Sequence, residues 1–98
     1  MSGRMTPRRR AKRDAVEKDI IIALKAAGAS VEQLDRPVDL VVGYRNMNKL
    51  MECKSPGGKL NEEQSLFFDK WKGQVAVVHT PLEALEVIGA MRGSKPTF

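Results

Sequence analysis

The sequence predicts a single α/β domain in which helices flank a small mixed sheet. Three observations carry this prediction. Apolar residues recur at helical spacing early in the chain, two apolar runs in the middle are separated by a short polar turn, and a later apolar run lies between two helical segments. The chain has 98 residues, 42% of them hydrophobic, which suits one core and leaves no room for a second.

The first helix is predicted to run from about Lys12 to Ala27. Its buried stripe consists of apolar residues three or four positions apart, namely Val16, Ile20, Leu24 and Ala27. Gly28 follows and is suited to end the helix, because glycine readily adopts the left-handed conformation found there. Glu17 lies beside this stripe rather than opposite it.

Strands are predicted to follow the first helix. Residues 30–34 alternate weakly and fit a short strand, and residues 39–44 form a clearer one. Residues 45–48 suit a turn, and residues 50–54 form the next strand, so we expect an antiparallel hairpin. The segment SPGGK, residues 55–59, is predicted to be a loop.

The second half of the chain is predicted to contain helix, strand and helix. Asn61 and Gln64 have the spacing of a capping box at the start of a helix. Gly73 would end that helix, and its apolar residues are expected in the core rather than as a base-stacking platform; they are Leu60, Phe67, Phe68 and Trp71.

The last two elements have clearer limits. Residues 74–79 contain an apolar run that fits a strand buried on both faces. Thr80, Pro81 and Glu83 then mark the start of a helix that is expected to run to about Met91 and to end at Gly93. Because this last strand follows a helix, it is expected to lie parallel to an earlier strand.

Charge is unevenly distributed along the chain. The net charge is +5, and six of the 17 basic residues lie within residues 4–13, which contain no acid. We therefore expect a disordered basic arm over residues 1–13, a folded domain over 14–93 and a tail over 94–98. Such arms commonly contact nucleic-acid phosphates, and a solvated tail is the alternative. The arm residues predicted to bind nucleic acid are Arg8, Arg9, Arg10, Lys12 and Arg13.

Composition also excludes several classes of protein. Cys53 is the only cysteine, so an intrachain disulfide and a cysteine-based zinc site are excluded. No apolar stretch approaches the roughly 20 residues that span a bilayer, and no apolar segment follows the N-terminal basic residues as in a secretory signal. We therefore expect a cytoplasmic protein without a membrane partner. An aromatic content of 5% is low for a protein that binds single strands by base stacking.

Three charged residues bracket the predicted hairpin. Glu52 and Lys54 share one face of their strand, and Cys53 points to the other face as a small core residue. Folding the hairpin brings Asp39 close to Glu52, and two carboxylates can bind a divalent cation such as Mg2+. Lys54 could orient a water nucleophile or stabilise charge on a phosphate, and Glu17 could supply a third acid. The alternatives are a solvated Glu-Lys pair and a turn acid at Asp39.

This combination resembles the PD-(D/E)XK nuclease superfamily. The resemblance is carried by Glu17, by PVD at residues 37–39, by ECK at residues 52–54 and by Gln64. The chain is most similar to the virus-type replication-repair nucleases (the VRR-NUC family) and, at longer range, to Holliday-junction resolvases. The segment LNEEQSLFFDKWKGQVAVVHT resembles the stretch that follows the motif lysine in that family. The resemblance covers about residues 14–90.

The chain departs from the family pattern in two places. It has Pro-Val-Asp instead of Pro-Asp, which leaves the strand register around Asp39 ambiguous by one residue. It also lacks the tryptophan-containing segment that many members carry before the Pro-Asp motif.

The resemblance implies a restriction-endonuclease-like αβββαβ core and a division of labour among residues. Asp39 and Glu52 would bind Mg2+, which Mn2+ could replace, together with the backbone carbonyl of Cys53. Lys54 would be the catalytic lysine and Glu17 would assist the metal or water. Gln64 would lie at the site, although a purely capping role remains the alternative.

The activity so implied is endonucleolytic hydrolysis of DNA, selective for branched or junction structures, by a homodimer. A phage origin, and with it a bacterial host cytoplasm, would also follow from the resemblance. Two alternatives stay open: a non-catalytic nucleic-acid-binding or inhibitory protein on the same fold, and an unrelated α/β interaction module. Lys59 could contact a phosphate, although its loop also fits a flexible turn, and His79 is expected to have a structural or surface role.

Overall fold

The structure is a computed structural model that describes the backbone of residues 7–90 and the side chains of residues 15–90. Its helices and strands follow one another in the predicted order, which confirms the α/β class. They are α1 (Pro7–Ala26), β1 (Ser30–Gln33), β2 (Leu40–Tyr44), β3 (Met47–Cys53), α2 (Glu62–Lys70), β4 (Val75–Val78) and α3 (Pro81–Ile88).

The four strands form one mixed sheet in the order β1-β2-β3-β4. The β1–β2 and β2–β3 pairs are antiparallel, whereas β4 lies parallel to β3 as the sequence predicted. Gln33 faces Leu40 and Cys53 lies beside Val78. The ends of β1, β3 and β4 and the start of β2 therefore meet at one end of the sheet, which we call the site end.

The core lies between the sheet and the two helices α1 and α3. Ile20 and Leu24 of α1 are fully buried and lie in one cluster with apolar residues of β2, β3, β4 and α3. Burying each such side chain contributes about 1.5–3 kcal/mol. Met51 and Cys53 belong to this cluster, and because strand side chains alternate, Glu52 points to the opposite face.

The hairpin turn is tighter than predicted. Only Arg45 and Asn46 form it, with φ of 52° and 64°, so β3 begins at Met47 rather than at Leu50. Two residues with positive φ match a type I′ turn, whose twist suits the flanking strands. The Arg45 guanidinium lies 5.1 Å from the centre of the Tyr44 ring, which adds a cation–π contact.

The helix limits also differ from those predicted. α1 begins at Pro7 instead of Lys12, so residues 7–13 of the expected disordered arm are helical in backbone, while residues 1–6 lie outside the described part. α3 ends at Ile88 instead of Met91, because Gly89 takes a left-handed φ of 82° and its N–H donates to the carbonyls of Leu85 and Glu86. Gly93 and the tail 94–98 also lie outside the described residues.

The prediction that α2 packs on the core was wrong. Asn61 caps the helix as expected, but the helix ends at Lys70 with Trp71 as its C-cap rather than at Gly73. No residue of α2 is buried, and Trp71 is 45% exposed. The side of α2 that was predicted to pack on the core therefore lies outside it, because α1 and α3 already cover the face of the sheet on which the cluster lies.

β4 is less covered than its apolar sequence predicted. It is an edge strand of the sheet, and of its residues only Val78 is buried, whereas Val75, Ala76 and Val77 are half-buried.

None of the helices in the part of the chain that the structure describes is long and apolar enough to span a membrane.

Candidate functional site

Asp39 is held against the backbone at the end of β3. It lies directly before β2, is 7% exposed, and its Oδ2 accepts a hydrogen bond of 2.9 Å from the backbone N–H of Cys53. Its own carbonyl accepts from the N–H of Leu34 at 2.7 Å. The carboxylate therefore points towards the end of β3, and the one-residue ambiguity at Pro-Val-Asp is resolved in that direction.

Glu52 is a buried acid that contacts Lys54 and Gln64. Only 1% of the residue is exposed, and its Oε2 lies 3.6 Å from Nζ of Lys54 and 2.8 Å from Nε2 of Gln64. A buried carboxylate without such partners would be strongly unfavourable. The side chain of Lys54 is 14% exposed, so it is less buried than the glutamate that it contacts.

Gln64 caps its own helix and also contacts Glu52. Its Oε1 accepts from the N–H of Asn61 at 2.9 Å, and Oδ1 of Asn61 accepts from the N–H of Gln64 at 2.8 Å. This capping box leaves the amide nitrogen of Gln64 to donate to Glu52. The helix cap thus orients the amide group towards the acid.

Glu17 lies at the same end of the sheet but on the side of α1. The residue is 8% exposed, and its Oε2 accepts a hydrogen bond of 3.0 Å from Nε2 of Gln33. Gln33 is the last residue of β1 and pairs with Leu40. The structure therefore places Glu17 next to the strand that carries Asp39, while Glu52 points to the other face of the sheet.

The oxygen atoms at the site end suit a hard divalent cation. Asp39 and Glu52 contribute carboxylates, and Cys53 contributes a backbone carbonyl from the residue whose N–H holds Asp39. Across the residues with described side chains, no group of three or more His, Cys, Asp and Glu could hold a metal ion. The residues fit Mg2+, which commonly binds through one or two carboxylates and keeps several waters.

The other predicted residues have simpler surroundings. Cys53 is fully buried in the core cluster, as the sequence predicted. Lys59 is exposed in the loop before α2, and its phosphate contact stays a prediction. The side chains of the arm residues lie outside the described part, so their contacts stay predictions too; these are Arg8, Arg9, Arg10, Lys12 and Arg13.

His79 was not predicted to lie near the site, yet it directly follows β4 at the site end. The carbonyl of Val78 accepts from the N–H of Lys54 at 3.0 Å, so His79 and Lys54 are neighbours across the parallel pair. Glu83 Oε1 accepts from the backbone N–H of His79 at 2.7 Å and lies 3.0 Å from its Nδ1. The pairing of β4 with β3 causes this placement, and local sequence patterns do not encode it.

Comparison with known proteins found nothing similar: no family model matches the chain, and no curated protein and no solved structure matches it either. The function is therefore inferred from the residues at the site end.

Proposed function

We propose that this protein is a Mg2+-dependent endonuclease of the PD-(D/E)XK type that hydrolyses phosphodiester bonds in DNA. The supporting observation is the chain of contacts that links Asp39, the Glu52–Cys53 segment, Lys54 and Gln64 at one end of the sheet. The mixed four-stranded sheet with its helices is compatible with a restriction-endonuclease-like core. The residue types and their order match what the resemblance implies.

Each residue at the site has a chemical role in this proposal. Mg2+, or Mn2+ in its place, neutralises charge on the phosphate when bound. Asp39, Glu52 and the Cys53 carbonyl would hold the ion, and the Cys53 N–H fixes the position of Asp39. Gln64 orients Glu52. Glu17 contacts Gln33 on the side of α1, so its assistance to the metal or water stays a prediction.

Lys54 would act on the reacting groups. Its ammonium lies 3.6 Å from Glu52 and its side chain is 14% exposed; in this proposal it donates to a phosphate oxygen or orients a water molecule. The water oxygen forms a bond to phosphorus and gives up a proton to solvent as the bond to the leaving oxygen breaks, and solvent supplies a proton to that leaving oxygen. A contact between a basic side chain such as Lys54 and a phosphate responds to the backbone and shape of DNA rather than to its sequence. This agrees with selectivity for branched or junction DNA.

A homodimer is part of the same proposal. The sheet has two edge strands, β1 and β4, and Ile22 on α1 and Leu82 on α3 are more than half exposed. Two-fold dimers are the commonest symmetric assemblies, and a dimer would carry two sites for the two strands of DNA. Sedimentation analysis should give twice the monomer mass, and a monomer at all concentrations tested would contradict it.

A second candidate is a nucleic-acid-binding or inhibitory protein without catalytic activity. The observation that favours it is the pairing of Glu52 with both Lys54 and Gln64 through the same oxygen. Such an acid is already neutralised by protein groups, as in a purely structural network. The basic segment near the start of the chain would then provide the affinity for nucleic acid.

The deciding experiment is a cleavage assay with wild-type protein, Glu52→Gln and Lys54→Met. Supercoiled plasmid, linear duplex and a four-way junction are incubated with Mg2+, with Mn2+ and with EDTA. We expect cleavage by the wild type with either metal, none in EDTA, and a loss of at least about 100-fold in both variants, as for removal of a charge-stabilising group.

The matched control is Glu32→Gln, which changes an exposed glutamate of β1 and should cleave like the wild type. Cleavage that persists in EDTA or in Glu52→Gln would contradict the proposal. Binding without cleavage in every metal would favour the second candidate.

A further inference from the structure

An open cleft of about 390 Å³ adjoins the site end. One wall comes from the loop between β1 and β2, with Asp35, Arg36 and Pro37, and the other from the start of α2, with Glu63 and Phe67. Gln64 also lines the cleft, and the same side chain donates to Glu52. Gln64 therefore lies between the cleft and Glu52, one of the residues proposed to hold the metal ion.

The aromatic side of α2 contributes nothing to the core. Phe67 packs against Trp71 with ring centres 5.2 Å apart and planes 30° from parallel, and its ring meets that of Phe68 edge-on at 6.3 Å. α2 itself has no buried residue. Phe67 therefore lies in a cleft wall, half-buried and in contact with two other aromatic rings, outside the core cluster.

The polar groups of the cleft divide into two sets. The amides of Asn61 and Gln64 are engaged in the helix cap and with Glu52. Asp35, Arg36 and Glu63 are exposed, and within residues 15–90 their side chains form no described hydrogen bond or ion pair. Two carboxylates and one guanidinium can therefore contact a ligand.

We propose that this cleft binds an unpaired nucleobase of the DNA strand next to the bond that is cut. The ring of Phe67 would stack on the base, as aromatic side chains do in single-strand binding sites. Pro37 would form the facing apolar wall, and Arg36 would contact the attached phosphate. This inference rests on the proposed nuclease function and names its substrate class as DNA with an unpaired nucleotide at a branch.

Binding is measured in EDTA, where cleavage does not interfere, by anisotropy of a labelled duplex that carries a short single-stranded flap. The variants are Phe67→Ala and the matched control Leu66→Ala, which removes a 57% exposed apolar side chain from the same helix. We expect Phe67→Ala to lose about tenfold in affinity for the flap, in line with one stacked base, and Leu66→Ala to bind like the wild type.

Changes in the DNA test the same contact from the other side. An abasic nucleotide at the branch should weaken wild-type binding as much as Phe67→Ala does, and should add no further loss in that variant. Fluorescence of Trp71, the single tryptophan, should be quenched by the flap but not by the abasic one.

Two results would overturn the inference: equal affinities of Phe67→Ala and Leu66→Ala, or full affinity for the abasic flap. Circular dichroism confirms that both variants are folded. Plasmid cleavage with Mg2+ is scored separately. A wild type that cleaves no DNA would refute the nuclease proposal, and the flap measurements in EDTA would still decide the question of the base site.

Discussion

Gln64 uses the two atoms of one amide for two different contacts. Its oxygen closes the capping box with Asn61, and its nitrogen donates to Glu52. A local helix signal and a long-range site contact therefore depend on the same residue. The consequence is that capping and site chemistry can be separated only by substitutions that remove one of these hydrogen bonds at a time.

The first prediction separates those hydrogen bonds. Asn61→Ala removes the cap and should cost about 0.5–2 kcal/mol of stability while cleavage remains near the wild-type rate. Gln64→Glu keeps an acceptor for the Asn61 N–H but removes the donor to Glu52. It should reduce cleavage at least about tenfold, as expected when a hydrogen bond to a charged group, which contributes about 1.5–3 kcal/mol, is removed.

Thermal unfolding and cleavage rates are measured on the same preparations of both variants. A loss of cleavage in Asn61→Ala as large as that in Gln64→Glu would show that Gln64 serves the helix cap alone.

At the scale of elements, the start of α3 links the cap of a helix to the site end. Oγ1 of Thr80 accepts from the N–H of Glu83 at 3.1 Å, and Pro81 occupies the first turn. Glu83 in turn holds both the backbone and the ring of His79. Hydrogen bonds from the backbone N–H and from the ring of His79 lower the pKa of Glu83 below its ordinary 4.5.

A pH dependence of stability follows from that lowered pKa. The ionised form of Glu83 is favoured in the folded protein, so its contribution is present above the unfolded pKa and is lost as pH falls through the folded pKa. The stability difference between the wild type and Glu83→Gln should therefore shrink between about pH 6 and about pH 3.

Urea unfolding at several pH values measures that difference. Glu86→Gln, which changes an exposed glutamate of the same helix, serves as the control and should not show the same trend. A difference between wild type and Glu83→Gln that is constant with pH would contradict the assignment.

At the scale of the molecule, a nearly neutral body follows a strongly basic segment. Six basic residues lie within residues 4–13, and the rest of the chain has 11 basic and 12 acidic residues. The backbone from Pro7 onward is part of α1, so the basic residues from Arg8 onward belong to the first turns of a helix and not to a separate arm. Long-range attraction of DNA would then come from one end of α1.

The third prediction concerns this segment. Replacing Arg8, Arg9 and Arg10 by glutamine keeps good helix formers and removes three charges. The affinity for DNA should fall, and the slope of its logarithm against the logarithm of salt concentration should become shallower by about 0.9 for each phosphate that these arginines no longer neutralise.

Anisotropy titrations over a range of salt concentrations measure the slope. Glutamine at Lys18 and Lys25, two exposed lysines further along α1, provides the control with a smaller expected change. An unchanged slope in the triple variant would exclude phosphate contacts by these arginines.

The aromatic residues of α2 are where sequence reasoning failed most clearly. Phe67, Phe68 and Trp71 have the spacing of a helix that packs on a core. The structure places them on a helix without buried residues. Helical periodicity shows which residues share a side of a helix, but it does not show whether anything covers that side.

Local patterns in the sequence determined much of the secondary structure of this protein. The order of the elements, the hairpin, the caps at Asn61 and Thr80 and the burial of Cys53 follow from spacing within a few residues, because helices and strands have fixed short periods. The choice of Asp39, Glu52 and Lys54 as a group also came from the sequence, since a hairpin joins the ends of its strands.

Only the tertiary structure decided the rest. It brought Gln64 to Glu52 and His79 beside Lys54, left α2 outside the core, and ended α3 at Gly89 although another glycine lies nearby in the sequence. The placements of Gln64, His79 and α2 depend on contacts between residues far apart in the chain, where the free energy of burying one apolar surface competes with that of burying another. The end of α3 instead depends on which of the two glycines takes the left-handed conformation. No pattern within a single element records that competition.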